Sequence, residues 1–131
     1  MKIWHQILEK LKENKTVYLL TVIQNSGSSP GRKGFKMMIS DENFIFGSVG
    51  GGIMEFTLVE EAKRLLQEEN PSIFIKKQIH KGSIKDGSGM ICSGEQTVAF
   101  HPLNKNDISV IEDVTNYMKN GKKGIISLTP T

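Results

Sequence analysis

Apolar residues recur at helical spacing in the first segment of the chain. Trp4, Ile7 and Leu11 stand among lysines and glutamates, and this pattern predicts an amphipathic helix from about residue 3 to residue 14. The segment that follows, residues 16–23 (TVYLLTVI), is rich in β-branched residues and almost continuously apolar. Strands that are covered on both faces have this composition. We therefore expect residues 16–23 at the centre of a sheet.

The rest of the chain alternates between sheet-like and helical patterns. The predicted elements are hairpin strands over 35–40 and 44–49, a helix over 54–69, strands over 73–79 and 95–101, a helix over 107–119 and a strand over 124–128. Residues 80–94 (HKGSIKDGSGMICSG) are glycine-rich and predict a long loop. A hairpin among helix-linked strands indicates an α/β domain, or an α+β domain, in which a mixed sheet is flanked by about three helices.

The composition is that of one globular domain without disulfides. A chain of 131 residues with 37% hydrophobic and 24% charged residues is suited to a single core. Cys92 is the only cysteine, so no disulfide can form within the chain, and we expect a cytoplasmic protein. Residues 1–15 lack the apolar run of a signal peptide, and no segment is long enough to span a bilayer. We expect no stable membrane insertion.

The charge distribution argues against a nucleic-acid partner. The net charge is +3, but residues 1–40 carry seven basic and two acidic residues, whereas residues 41–70 carry two basic and seven acidic ones. A basic segment followed by an acidic helix suits a small anionic ligand better than a long phosphate backbone. We therefore expect no nucleic-acid binding.

Three glycine-dense loops, residues 27–34, 47–52 and 82–94, hold the candidate binding residues. Gly50-Gly51-Gly52 precedes the predicted helix, and backbone N–H groups at such a helix start can bind a phosphate. The named phosphate loops do not match, because Ile53 and Met54 follow Gly52 where a P-loop needs Lys and Ser or Thr, and Glu55 stands where the dinucleotide fingerprint needs glycine. ATP and NAD are not supported, and two interpretations of the loop stay open: a phosphate site or a tight turn.

Cys92 is the residue with the most reactive chemistry. A lone cysteine is most often a small buried hydrophobe. Here Ile91 precedes it and Ser93-Gly94 follow, so we expect the thiol at the rim between a glycine loop and a strand, where reactive cysteines occur. The histidines His5, His80 and His101 do not complete a zinc site with it at any known spacing.

Three sequence blocks together resemble a known family. Residues 21–37 (TVIQNSGSSPGRKGFKM), 46–62 (FGSVGGGIMEFTLVEEA) and 89–100 (GMICSGEQTVAF) are similar in order and spacing to motifs of the XdhC/CoxI family of molybdenum hydroxylase accessory proteins. The resemblance implies that residues 1–131 form the N-terminal domain of that family, and that the Rossmann domain with which family members continue is absent from this chain. We expect a fragment or a short natural variant.

The resemblance also implies a function, a cofactor and partners. The family binds molybdenum cofactor (molybdopterin) transiently, protects it during sulfuration and delivers it to a xanthine dehydrogenase or related hydroxylase. The expected partners are an apo molybdenum hydroxylase, a cysteine desulfurase-type sulfur donor and a second copy of the chain. Cys92 is the implied metal ligand, within a block where Ser93 replaces a family glycine. The expected cofactor-binding residues are Cys92, Gly50, Gly51, Gly52, Ser28, Ser29, Arg32, Gly94 and Glu95.

Two other functions stay open at this point. In the first, the chain is a small oxidoreductase or sulfur-transfer enzyme with Cys92 as the nucleophile. In the second, it is a non-catalytic interaction module whose glycine loops only make turns. The resemblance implies a carrier rather than a catalyst, and Ser28, Ser48 and Ser93 have no histidine placed beside them by sequence.

Overall fold

The computed structural model describes residues 2–85, 91–122, 124 and 127, and the side chains of residue 42 and of residues 80–93 lie outside that description. The helices and strands are α1 (Lys2–Lys12), β1 (Val17–Gly27), β2 (Lys36–Ser40), β3 (Ile45–Gly47), α2 (Gly52–Leu66), β4 (Phe74–Lys85), β5 (Ile91–Leu103) and α3 (Ile108–Lys119). The strand predicted over 124–128 lies outside the described residues except at Gly124 and Ser127.

The strands form one five-stranded sheet in the order β3-β2-β1-β5-β4. With the three α-helices of the described residues, the sheet makes the single domain of mixed helix and sheet that the sequence predicts. All four strand pairings are antiparallel, however, so the sheet is not mixed in strand direction. The reason is that β5 enters between β1 and β4 and runs opposite to both. The domain is therefore of the α+β type.

One face of the sheet packs against α2. Tyr18, Leu20 and Val22 of β1 share a buried cluster with Leu58 of α2 and Phe100 of β5. The Tyr18 hydroxyl donates a 2.8 Å hydrogen bond to the carbonyl of Ser72, and burial, with a smaller effect of the Glu68 charge, raises the Tyr18 pKa above its ordinary value. This layer fixes α2 against the sheet.

The other face packs against α1 and α3. Val17 and Leu19 of β1 form a second buried cluster with Trp4 and Ile7 of α1 and Ile111 of α3. Because alternate residues of β1 enter the two clusters, this strand is covered on both faces, and its predicted central position is confirmed. None of the helices within residues 2–85 and 91–122 has the length and apolarity needed to traverse a bilayer.

The strands extend further into polar sequence than the pattern predicts. β1 continues to Gly27, β4 continues to Lys85, and β5 begins at Ile91. The long loop predicted over 80–94 is therefore wrong for 80–85 and 91–94, which are strand, while 86–90 lie outside the described residues. The physical reason is that strands pair through hydrogen bonds of the backbone. Polar residues and glycines can therefore extend a strand without adding apolar residues to the sequence pattern.

Candidate functional site

The three sequence blocks meet at one end of the sheet through three glycines. Added to Gly31, a Cβ would lie 2.5 Å from the Val49 carbonyl oxygen, and on Gly50 it would lie 2.6 Å from the Gly31 nitrogen. A Cβ on Gly94 would lie 2.5 Å from the Ser28 nitrogen. Real Cβ atoms do not approach backbone so closely, so only glycine fits at these positions. We call Gly31, Gly50 and Gly94 the glycine junction.

A chain of buried amides lies beneath the glycine junction. The Gly31 N–H donates to Oε1 of Gln96 at 2.9 Å, and Nε2 of Gln96 donates to Oε1 of Gln78 at 3.0 Å. Nε2 of Gln78 in turn donates to the Met54 carbonyl at 3.1 Å. Both glutamines are buried, so each bond satisfies groups that would otherwise be costly to desolvate. This buried amide chain joins the first loop, β5, β4 and the start of α2.

The glycine loop at the start of α2 binds a carboxylate of its own chain. Oε1 of Glu55 accepts hydrogen bonds from the N–H groups of Val49 at 2.9 Å and Gly51 at 3.1 Å. The Ser48 hydroxyl donates to the same oxygen at 2.6 Å. Of the N–H groups that the sequence offered for a phosphate, that of Gly51 is thus used by Glu55, and that of Gly50 donates to the Ser48 hydroxyl at 3.2 Å. This supports the turn interpretation for that part of the loop.

Space is open around Gly51 and Gly52, although the Gly51 N–H is already bonded to Glu55. Gly51 and Gly52 have φ angles of +75° and +67°, and an added Cβ on either residue would meet nothing within 4 Å in the described part of the chain. The left-handed conformation requires glycine there for backbone reasons, not for lack of space. A ligand can therefore approach the backbone of these two residues closely.

The predicted residues of the first loop differ in exposure. Ser29 is buried, and its hydroxyl donates to the Gly31 carbonyl at 3.2 Å. Ser28 is exposed beside Gly94. Arg32 is exposed, and its guanidinium donates a long 3.4 Å hydrogen bond to the Gly27 carbonyl. Ser28 and Arg32 are thus on the surface at this end of the sheet, whereas Ser29 is part of its interior.

Cys92 lies in β5, two residues before Gly94. At strand spacing, two residues correspond to about 7 Å along the chain. The pairing of β4 with β5 is irregular here, because Lys81 pairs with Ser93 while Lys85 pairs with Ile91. Such irregularities are common beside functional sites, where they redirect the strand. Among the side chains that the structure describes, no three His, Cys, Asp or Glu residues come together as a metal site, and the side chain of Cys92 lies outside them.

Glu95 is separated from the glycine junction by the sheet. It pairs with Ser26 in register and alternates with the buried Gln96, so it lies on the face opposite α2. Its Oε2 is 3.1 Å from Nζ of Lys77. The structure therefore brings Gly50, Gly94 and Ser29 together but places the Glu95 carboxylate elsewhere.

Sequence reasoning missed Gln78 and Gln96. A signal was available for Gln96, because it follows the period of two that puts Val98 and Phe100 on one buried face. Glutamine is usually exposed, and its burial here depends on partners in β4 and in the first loop that are distant in sequence.

Three comparisons place the chain among known proteins. The family model of the XdhC and CoxI family matches residues 11–76. The uncharacterized protein YqeB of Escherichia coli (strain K12) is 30% identical over 89 residues, which cover 68% of this chain and 16% of YqeB. The crystal structure of a xanthine dehydrogenase from Bacillus halodurans has a TM-score of 0.64 and 23% identity, over 90% of this chain and 35% of that one.

These matches differ in what they establish. The Bacillus halodurans structure shares the fold, and its low identity carries no more than that. The chain spans about a sixth of YqeB and about a third of the Bacillus halodurans protein. The family model covers half of the chain and includes the first two of the three blocks completely, and both of these blocks contribute to the glycine junction. The chain therefore belongs to the XdhC and CoxI family.

Proposed function

We propose that this chain binds molybdenum cofactor and delivers it to a molybdenum hydroxylase of the xanthine dehydrogenase type, with Cys92 as the sulfur ligand. The observation that carries the proposal is the glycine junction, because it brings the three sequence blocks to one end of the sheet, next to the segment of β5 that contains Cys92. A site assembled from separate segments of chain is typical of a binding site rather than of a single turn.

The residues present are suited to such a cofactor. A thiolate is a soft ligand for a thiophilic metal, and Cys92 supplies the only one in the chain. The backbone of Gly51 and Gly52 is open to close approach, and the exposed Arg32 and Ser28 offer donors to an anionic group. When bound, the cofactor would supply a molybdenum centre on a phosphate-bearing pterin. The role of this chain is to hold that group, limit its contact with water and release it.

The partners follow from the same proposal. The recipient is an apo molybdenum hydroxylase, and membership in the XdhC and CoxI family supports this class of recipient. The sulfur donor is a cysteine desulfurase-type enzyme, and a homodimer would shield the cofactor between two copies. YqeB and the Bacillus halodurans protein are much longer than this chain, and the same proposal assigns residues 1–131 to the N-terminal domain of the family, without its Rossmann domain.

The test replaces the sulfur and leaves the fold intact. Cys92→Ser is nearly isosteric, so we expect a loss of at most about 1 to 2 kcal/mol in the free energy of unfolding. We expect the variant to fail in activating an apo-hydroxylase when mixed with cofactor and a sulfur donor. Ser93→Ala, at the adjacent position, is the matched control and should keep full activation.

Two outcomes would contradict the proposal. Full activation by Cys92→Ser would make Cys92 a packing residue. Steady-state turnover of a thiol substrate by the isolated chain, lost in Cys92→Ser, would instead support a thiol-dependent enzyme.

A further inference from the structure

An open cleft lies on the sheet face opposite α2, beyond the part that α1 and α3 cover. Its volume is about 440 Å³, which falls in the range of small-ligand sites. The cleft begins where β1 has an extra residue, Ile23, between Val22 and Gln24 in its pairing with β5. The bulge turns the polar end of β1 toward the cleft. The polar side chains that line it include Gln24, Asn25, Lys33, Lys77, Glu95 and Thr97.

The cleft carries a net positive charge. Lys33 and Lys77 line it from opposite sides, and Glu95 is the one acidic residue among the lining side chains that the structure describes. Lys33 is held over β1 by its backbone N–H, which donates to Oδ1 of Asn25 at 2.7 Å. Nζ of Lys77 is 3.1 Å from Oε2 of Glu95, and an ammonium group has three N–H donors, so this ion pair leaves it capacity for a ligand.

We infer that this cleft binds the phosphate group of a small polar ligand. Two lysines among the lining residues favour an anion and disfavour a metal cation, and the neutral lining residues Gln24, Asn25 and Thr97 offer hydrogen bonds to a polar body. Because the volume suits one small ligand and two lysines suit one phosphate, a nucleic-acid backbone is a poor fit. The site goes beyond the proposed function, since the sheet separates it from the glycine junction.

Two sources share this chemistry: free phosphate, and a phosphate monoester such as that on a pterin. Titration calorimetry of the full chain at low salt, with inorganic phosphate in one arm and a pterin phosphate monoester in the other, separates them. Binding of both with equal affinity indicates a site for phosphate alone, and tighter binding of the monoester indicates recognition of the polar body. If neither ligand binds at up to about 10 mM, the inference is wrong.

Variants test whether the cleft is the site. Lys77→Met should weaken phosphate binding by about tenfold, because it removes a charged hydrogen-bond donor. Glu95→Gln should tighten it by about threefold, because it removes the competing carboxylate from Lys77. Lys76→Met is the matched control: Lys76 is adjacent on β4 but pairs with Val98 and lies on the α2 face, so binding should not change.

These results are independent of Cys92. Cys92→Ser should keep the phosphate affinity of the unaltered chain even where it loses molybdenum, so failure of this inference and failure of the proposed function are distinguishable. Equal losses in Lys77→Met and Lys76→Met would indicate a general charge effect and overturn the inference, as would unchanged binding in Lys77→Met.

Discussion

The two ends of β1 differ in the polarity and the burial of their side chains. From Val17 to Val22 the strand is apolar and nearly every side chain is buried between two layers of helices. After the bulge at Ile23, residues Gln24 to Gly27 are polar and mostly exposed, yet they pair with β5 as regularly as the first half. We call these the apolar end and the glycine end of the sheet.

The two ends tolerate different substitutions. The apolar end is stabilised by burial of side chains, so loss of volume there is costly. The glycine end is stabilised by close backbone contacts and buried amide hydrogen bonds, so addition of a single methyl group or loss of a single amide is costly instead. A binding site can form at the glycine end because its surface is not committed to the core.

The greatest loss of stability is expected at Gly50, and it should clearly exceed the loss at the adjacent Gly51 in the same loop. Gly50→Ala should cost about 3 to 5 kcal/mol in the free energy of unfolding, because the new Cβ meets the Gly31 and Pro30 backbone and the φ of +126° is strained. Gly51→Ala should cost about 1 to 3 kcal/mol from strain alone, since its Cβ enters open space. Urea unfolding measures both, and equal costs would mean that the glycine junction is not tightly packed.

Replacing the glutamines of the buried amide chain should cause a more moderate loss of stability. Gln96→Leu should cost about 2 to 3 kcal/mol, because the Gly31 N–H and the Gln78 amide lose their partner in a buried place. Gln78→Leu combined with it should cost clearly less than the sum of the two single changes, since the variants remove the same bond. Thr97→Val, on the other face of β5, is the control and should stay within about 0.5 kcal/mol. Additive losses would show that the glutamines act separately.

A small loss of stability is expected when the Glu55 carboxylate at the start of α2 is replaced. Glu55→Gln keeps the size and one acceptor but removes the charge that three donors and the helix dipole favour, so we expect a loss of about 1 kcal/mol. Glu60→Gln is the matched control on the exposed side of α2, where its pairing with Lys63 should contribute less than about 0.5 kcal/mol. Thermal melts at low salt compare the two, and equal shifts would argue against a specific role for Glu55.

The apolar end could be predicted from sequence, and the glycine end could be predicted only in part. The helix predicted from periodicity and the strand predicted from the continuous apolar run are confirmed as α1 and β1. Sequence predicts such elements well because a buried face requires apolar residues at regular spacing. No such pattern is present in the second half of β1 or in the paired segments 80–85 and 91–94, because backbone pairing does not depend on side-chain polarity.

The candidate site shows the same limit at the level of residues. Sequence identified Gly50 and Gly94, since glycine has a recognisable conformational role. It did not predict that they pack against Gly31 and Ser28, or that Gln96 is buried, because these features depend on contacts between segments about 20 to 65 residues apart. The hydrogen bonds from the loop to Glu55 could not be predicted from sequence either, because they depend on the conformation of the turn.

Binding of molybdenum cofactor through Cys92 is the central claim of the proposed function. Native mass spectrometry of the chain, produced together with the enzymes of cofactor biosynthesis, is the decisive measurement when molybdenum is quantified in the same sample. We predict a species heavier by the mass of the bound cofactor, containing molybdenum, and its loss in Cys92→Ser at unchanged folding. Unaltered chain free of molybdenum, or Cys92→Ser with the same molybdenum content as the unaltered chain, would refute the proposal.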